Sequence, residues 1–342
     1  TNIVLVEVTK SSIFVKGSGG QATARMTFEV RDAHGIPVDT QHKATVNFRI
    51  AGGLGGGEVL NPASAETDAN GRVAVTITSG TKAGAVQVVA QAQVKGVTIS
   101  AAPVPIAIHG GLPDLSHFSL AFEKLNFAGW IYYGLTNNIT AFVGDKYSNP
   151  VPPGTVVQFR STGGIIEGSA VTDALGRASV TLTSASPQPQ GIPGYAPPFT
   201  ELGFARIVAE TVDETGAKIT TEGPVLFSGR TMPIEVTSPQ PIPFSIAPYS
   251  SQFFTYKVKD QNNNPLVAGT AISVTTDNGK VTGDTNINLK DTQSRAWTEF
   301  DFILTNSEPD SLFVKVTTIK IQVTSQNGDA SRTIIGSLLP KN

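Results

Sequence analysis

The chain has 342 residues, a formal net charge of −2, 15% charged residues and no cysteine. So little charge, so evenly balanced, provides no electrostatic drive toward nucleic acid or an anionic membrane surface, and without cysteine any core must be held by packing alone. No apolar run approaches the ~18 residues that span a bilayer, so no membrane insertion is expected within these residues.

Residue 1 is Thr rather than Met, which reads as a processed or excised chain and makes the missing signal peptide uninformative. Apolar stretches Ile3–Val8 and Ile13–Val15 predict an opening strand broken at Lys10-Ser-Ser. Ala22 to Val30 alternates, with Ala24, Met26, Phe28 and Val30 on one face, and ends at the turn Asp32-Ala-His-Gly-Ile-Pro37. Ala51-Gly-Gly-Leu-Gly-Gly-Gly57 lacks the Gly-Lys-Ser/Thr ending of a phosphate loop and reads as an inter-strand loop. Thr67-Asp-Ala-Asn-Gly71 predicts a second turn, followed by a strand with Val73, Val75 and Ile77 on one face. Segments 85–94 and 97–108 complete this unit, which hands over near His109-Gly-Gly-Leu-Pro113.

The next stretch opens with aromatic residues, Phe118, Phe122, Phe127, Trp130, Tyr132 and Tyr133. Asp145-Lys-Tyr-Ser-Asn-Pro150 and Thr172-Asp-Ala-Leu-Gly176 repeat the two turns, and residues 185–201 add a Pro-rich loop where the first unit has only Gly80–Gly84. A loop of that length is expected to be functional or mobile, and its prolines make it semi-rigid; as a surface insertion it should be removable without unfolding the chain. The plainer reading, preferred to a binding site, is that these aromatics fill a core or a domain junction and that the loop packs on its own neighbour. The junction Ser228–Pro233 opens a third stretch, in which Pro239, Pro241, Pro243 and Pro248 keep the first segment extended. Phe253 to Val258 leads into Asp260-Gln-Asn-Asn-Asn-Pro265. Segments 311–318 and 319–325 read as a late hairpin, and Ile334–Leu339 as a final apolar strand.

The Asp-to-Pro spacing is five in all three turns, and the Asp residues lie 113 and 115 apart. A fixed offset at a domain-sized period is a repeat of whole domains. Residues 67–79 match 172–184 almost residue for residue, while in the third copy Ser294 replaces the turn glycine, Asn306 replaces the terminal serine, and Leu304-Thr-Asn arrives four residues late. The expected fold is all-β: three tandem β-sandwiches over 1–109, 110–230 and 231–342, each of about seven strands in two sheets. Strands of about ten residues at about 3.3 Å each would make the whole a rod of roughly 110 Å, with short linkers allowing limited hinging.

The composite pattern D-x-x-G/N-x-P-V, G-T-x-V-x-F, T-D-x-x-G-x-A-x-V-x-L-T-S resembles the bacterial immunoglobulin-like (Big) repeats of invasin and intimin type. The resemblance covers essentially the whole chain, closely in the first two modules and loosely in the third. It implies immunoglobulin-like sandwiches on the bacterial cell surface or otherwise extracellular, used as spacers, adhesive tips or structural modules.

No residues converge on catalysis. His34, His42, His109 and His117 lack metal-ligand spacing, and there is no Gly-x-Ser-x-Gly elbow. Asp260-Gln-Asn262-Asn-Asn264 opens like a calcium loop, but Pro265 stands where glycine is required and Ala271 where the bidentate Glu belongs. These Asp/Asn clusters read as turns, calcium being the other possibility. Asn138-Ile-Thr140 is a glycosylation acceptor if the source modifies such sites. The expected role is therefore a non-enzymatic stalk or adhesive segment, with no cofactor, whose partner is a protein or glycan on a cell surface or another copy of itself. Binding is assigned to Trp130, Tyr132, Tyr133, Tyr195 and Phe199, because rigid aromatics offer much contact area for little entropy loss. One alternative is a glycan-binding module stacking sugars on Trp130 and Tyr132. Another is a filament subunit, the apolar strands at 3–8 and 334–339 being paired with or donated to neighbours. Against donation, the first module needs its own first strand and the third its last.

Overall fold

The computed structural model describes residues 1–240 and 243–341; Pro241 of the proline series lies outside them. Apart from two 3-10 turns, Leu115–His117 and Arg295–Thr298, the regular structure among the described residues is β-strand. No helix there is long and apolar enough to cross a membrane.

The same strand order occurs three times. In the first module one sheet runs Asn2–Val8, Thr23–Arg31, Arg72–Thr78, Val59–Asn61. The facing sheet runs Ser12–Phe14, Val104–His109, Gly84–Val94, Thr45–Ala51, Ser64–Glu66, with Val97–Ser100 folded back beside Gly84–Val94. The second module repeats this with Phe118–Phe122, Thr136–Val143, Arg177–Thr183, Ile165–Ile166 against Asn126–Phe127, Lys218–Phe227, Phe204–Val212, Val156–Ser161, Ser169–Val171. The third has Glu235–Ser238, Ser251–Lys257, Glu299–Thr305, Lys280–Gly283 against Phe244–Ile246, Ala330–Leu338, Lys315–Thr324, Ala271–Thr276, Asn286–Asn288. Two facing sheets in this order, antiparallel but for one strand at the edge of the second, are an immunoglobulin-like sandwich.

Sheets of four and six strands, then four and five twice, exceed the expected seven per module. One reason is that each opening strand splits: its first half pairs antiparallel in one sheet (Asn2 opposite Arg31) and its second half crosses to lie parallel to the last strand of the other (Ile13 opposite Ile108, Phe127 opposite Phe227, Ser245 opposite Ser337). Short edge strands such as Val59–Asn61 and Ser64–Glu66 supply the rest. The expected segment 97–108 divides in two at Ala101–Pro103, and the late hairpin of 311–325 is instead one strand, Lys315–Thr324. There Thr317, Ile319, Ile321 and Val323 are buried alternately without a break, so the chain has no reason to turn until Asn327.

Each module has its own core, formed where the alternating apolar faces of its two sheets meet. Phe28 and Met26 are fully buried in the first module, Ile139 and Leu182 in the second. The third relies on Tyr256, Phe254 and Phe302, the two phenylalanine rings stacked at 4.7 Å. The serine that ends the repeated strand motif is a buried tie across the split. Ser79 Oγ donates to the Phe14 carbonyl and Ser184 Oγ to that of Tyr132, both at 2.6 Å. Asn306 does the same work with its amide, donating to the carbonyls of Ile246, Ala247 and Leu339. The four residues by which the third copy runs late correspond to the 3-10 turn Arg295–Thr298, capped by Ser294, in place of the tight glycine turn.

Both apolar terminal strands are paired at home. Asn2–Val8 lies along Thr23–Arg31, and Ala330–Leu338 sits inside its sheet between Phe244–Ile246 and Lys315–Thr324. Solution scattering should distinguish an extended row of modules from a globule. The row predicts a maximum dimension of roughly 110 Å and a radius of gyration of roughly 30 Å, against about 20 Å for a compact chain of this length. A profile fitted by the smaller value would contradict the arrangement.

Candidate functional site: the module junctions and the aromatic loop

In the repeated turn, Asp Oδ1 accepts the amides two and four residues on. The donors are His34 and Ile36 for Asp32, Tyr147 and Asn149 for Asp145, and Asn262 and Asn264 for Asp260, all at 2.8–3.0 Å. This carboxylate-closed turn is the local structure that Asp prefers. In the second and third copies Oδ2 also has a partner, from the linker that enters the module: the Gly111 amide reaches Asp145 at 2.7 Å and the Gly229 amide reaches Asp260 at 2.6 Å. Asp145 and Asp260 are thereby buried, whereas the side chain of Asp32 keeps 45% of its exposure.

The residue before the proline extends this clamp. Asn149 Nδ2 donates to the Thr81 carbonyl and its Oδ1 accepts the Ala83 amide, both at 2.9 Å, while Asn264 Nδ2 donates to the Leu202 carbonyl at 2.9 Å. Thr81 and Leu202 occupy the same inter-strand loop of successive modules. The linker must come very close for this: a Cβ on Gly110 would run into the Pro150 carbonyl oxygen.

The second junction carries further bonds. Asp291 accepts the amides of Leu125 and Asn126 at 2.7 and 3.0 Å. Asn126 Nδ2 reaches the carbonyls of Pro265 and Leu266, and Asn327 Nδ2 that of Gly229 at 2.7 Å. The Asp260 turn, read in sequence as a possible calcium loop, thus spends both carboxylate oxygens on backbone amides. Among the described residues no three His, Asp or Glu gather closely enough to hold a metal ion.

The five aromatic residues singled out in the sequence do not form one surface. Trp130 is half-buried and packs on the core of the second module. Tyr132 and Tyr133 are exposed, at 45% and 64%. Tyr195 and Phe199 fold inward onto Ile192, Phe204 and Leu226 as a small satellite core, with Phe199 edge-on to Phe204 at 5.3 Å. Tyr195 Oη donates to Glu222 Oε1 at 2.7 Å, and Arg206 pairs with the other oxygen. Burial first, and then the Glu222 bond, push the Tyr195 hydroxyl above its ordinary range. The Pro-rich loop is therefore not removable: deleting it would uncover Phe204 and Leu226, both fully buried. Trp130, half-buried against the core, is less open to stack a sugar than Tyr132 is.

The sequence reading missed the junction role of Asn149 and Asn264. The available signal was that two turns place Asn before proline, with a glycine-bearing linker at each junction.

No family model and no curated protein matches the sequence. Among solved structures, the Escherichia coli adhesin FdeC aligns over 98% of this chain and 96% of its own, at 13% identity and a TM-score of 0.48. The D0-D1 domains of intimin align over 66% of this chain and 98% of their own, at 21% identity and 0.25. For the D00-D0 domains of intimin the figures are 66%, 98%, 15% and 0.33. The assignment of the fold rests on the strand order itself.

Removing the clamp should loosen the junctions without unfolding the modules. Asp145→Ala and Asp260→Ala each leave the linker amide unpaired together with the two amides of the turn, about 1–3 kcal/mol for each that stays buried. Limited proteolysis should then cut near Gly111 or Gly229 at least several-fold faster, with the circular dichroism spectrum unchanged. Unchanged cleavage would mean that the junctions are held elsewhere.

Acid should act on the exposed turns. The amides of Ile36 and His34 hold Asp32 below the ordinary carboxylate range, and those of Arg72 and Asn70 do so for Asp68. The Arg177 guanidinium does the same for Asp173, and the Thr215 hydroxyl for Asp213. With folded values below unfolded ones, this stabilisation is complete above the ordinary aspartate value and is lost as pH falls through the lowered ones. Asp260 differs, since burial pushes its carboxyl up against the pull of the Asn264, Gly229 and Asn262 amides, so the exposed turns set the net slope. The thermal midpoint should hold steady from about pH 7 to 5 and fall progressively below about pH 4; a midpoint that rises on acidification would contradict this.

Proposed function

We propose that the chain is a non-catalytic structural segment of an extracellular bacterial surface protein, a stiff spacer that also presents an adhesive patch. The observation that carries the spacer reading is the repeated clamp: both junctions bury an Asp against the linker amide and tie an Asn to the preceding module's loop. Hydrogen bonds to a carboxylate are stronger than neutral ones, and buried ones resist exchange with water, so orientation is passed from module to module. The cell-surface setting is supported by the motif resemblance to invasin- and intimin-type repeats. Antibody to this chain should label intact cells of the source organism; labelling only after lysis would overturn the setting.

For adhesion, the exposed pair Tyr132 and Tyr133 is the part of the aromatic segment free to meet a partner, a protein or a glycan of another cell surface. Tyr132→Ala with Tyr133→Ala should lower binding of the purified chain to cells or arrayed glycans at least tenfold and leave the thermal midpoint within about 1 °C. Undiminished binding would remove the patch and leave the spacer standing.

A further inference from the structure

The strand that runs into each Asp turn differs among the modules at one place on the face turned away from the core. Three residues before the turn Asp stands Glu29, Phe142 or Lys257, and one residue before it Arg31, Gly144 or Lys259. Directly across the sheet from the first of these lies Arg72, Arg177 or Glu299. In the first module the place is closed by its own charges. Glu29 Oε1 accepts Arg31 Nε at 2.8 Å and Oε2 accepts Arg72 Nε at 3.2 Å, and the Glu29 side chain is only 7% exposed. One carboxylate is seated between two guanidiniums, whose charged donors suit it well.

In the third module the pattern is inverted. Lys257 takes the place of Glu29 and Lys259 that of Arg31, and the inserted 3-10 turn Arg295–Thr298 brings in a further cation, Arg295. These three line a pocket of about 400 Å³, with Glu299 the one acid in its wall. The lysine pairs are loose: Lys257 Nζ lies 3.3 Å from Glu299 Oε2 and Lys259 Nζ 3.8 Å from Glu235 Oε2, and both carboxylates are more than half exposed. Exposed ion pairs of this kind contribute little and give way to a better partner. Arg295 is held by neutral groups. Its Nη2 donates to the Asn262 carbonyl and Asn264 Oδ1 at 3.2 and 3.4 Å, and its buried Nε has no partner among the described residues. Neutralising the buried Asp260 does not account for this arginine. Asp145 is as deeply buried, and in that module the arginine after the glycine turn, Arg177, pairs with Asp173 instead.

We propose that this pocket binds an acidic sugar of a glycan, whose carboxylate or sulfate takes among Lys257, Lys259 and Arg295 the seat that Glu29 has between Arg31 and Arg72. The volume lies within the range of small-ligand sites and admits a ring together with its charged group. A sugar is favoured over an acidic peptide by Trp297, which is 44% exposed and stands in the inserted turn between two lining residues, Ala296 and Thr298. A partly exposed indole offers a pyranose ring an apolar face to stack on. The tight glycine turns of the other modules have no aromatic residue, so the insertion adds the arginine and the tryptophan together. With a net charge of −2 on the whole chain, attraction of a polyanion has to come from a local cluster. The inference concerns the third module and does not rest on Tyr132 and Tyr133; either reading can fail without the other.

Surface plasmon resonance on immobilised heparin, hyaluronan and neutral dextran tests it. The chain should bind at least one of the two acidic glycans, with at least tenfold weaker binding to dextran, and lose affinity as salt is raised. Arg295→Gln, and Lys257→Gln combined with Lys259→Gln, should each weaken binding at least tenfold with the circular dichroism spectrum unchanged. A matched pair, Lys280→Gln with Lys320→Gln at exposed lysines of the same module, should change it by no more than about twofold. Lys257→Glu combined with Glu299→Arg rebuilds the Glu29–Arg72 pair of the first module at constant net charge and should abolish binding. Polyglutamate, acidic but without sugar rings, should bind at least tenfold more weakly than the better glycan, and Trp297→Ala should remove that difference. The proposal is overturned by no binding to either acidic glycan, by binding that survives the charge exchange, or by an equal loss in the matched lysine pair. Polyglutamate bound as tightly as the glycan, or a preference for the glycan that persists in Trp297→Ala, overturns it equally.

Discussion

The arrangement of the modules depends on one carboxylate used twice. An Asp that closes its own turn through Oδ1 has a second oxygen left over, and in a sandwich whose chain enters beside that turn, the incoming linker is the nearest source of amides. Asp145 and Asp260 take the Gly111 and Gly229 amides in this way. Burying a carboxylate is costly unless its lone pairs are filled, and here the donors of the turn and the linker fill them together. The turn is therefore complete only when a module lies in front of it, which couples local structure to the order of domains.

The split opening strand has a related logic. By starting in one sheet and finishing in the other, it ties the two halves of the sandwich at their edges, where antiparallel pairing alone leaves them free to slide. The crossing needs an irregular stretch, whose carbonyls require donors. Ser79, Ser184 and Asn306 supply them from the end of the strand that packs alongside. A hydroxyl and an amide serve equally well because the requirement is a buried donor, not a particular side chain. That accounts for the looser third copy keeping the fold while losing the motif.

Besides the extra strand Val97–Ser100 and the 3-10 turn Arg295–Thr298, the modules diverge in the loop between the motif strand and the strand after it. In the first module it is short and meets the next module through its backbone. In the second it has grown into the Pro-rich segment, with Tyr195 and Phe199 folded inward to seal Phe204 and Leu226. In the third it turns Leu312 and Phe313 outward. The sandwich tolerates this because the loop lies outside both sheets, and its ends are already held by the paired strands.

Much of the fold was legible in the sequence because the signals were local and repeated. Alternation such as Val73, Val75, Ile77 marks a strand with one buried face, and Asp followed five residues on by Pro marks a turn. Three copies of both at one period require three modules of one architecture. What sequence alone could not decide were the facts that depend on distant pairings. The crossing of the first strand between sheets and the continuity of Lys315–Thr324 are set by partners such as Ile108 and Ala271–Thr276, and the inward turn of Tyr195 and Phe199 by Glu222 and Leu226 together with Phe204. An aromatic residue reads the same in sequence whether it fills a core or meets a partner. The same holds for the turn aspartates: Asp145 and Asp260 are buried because the Gly111 and Gly229 amides, 34 and 31 residues away, meet their second oxygens, a pairing that no local pattern states.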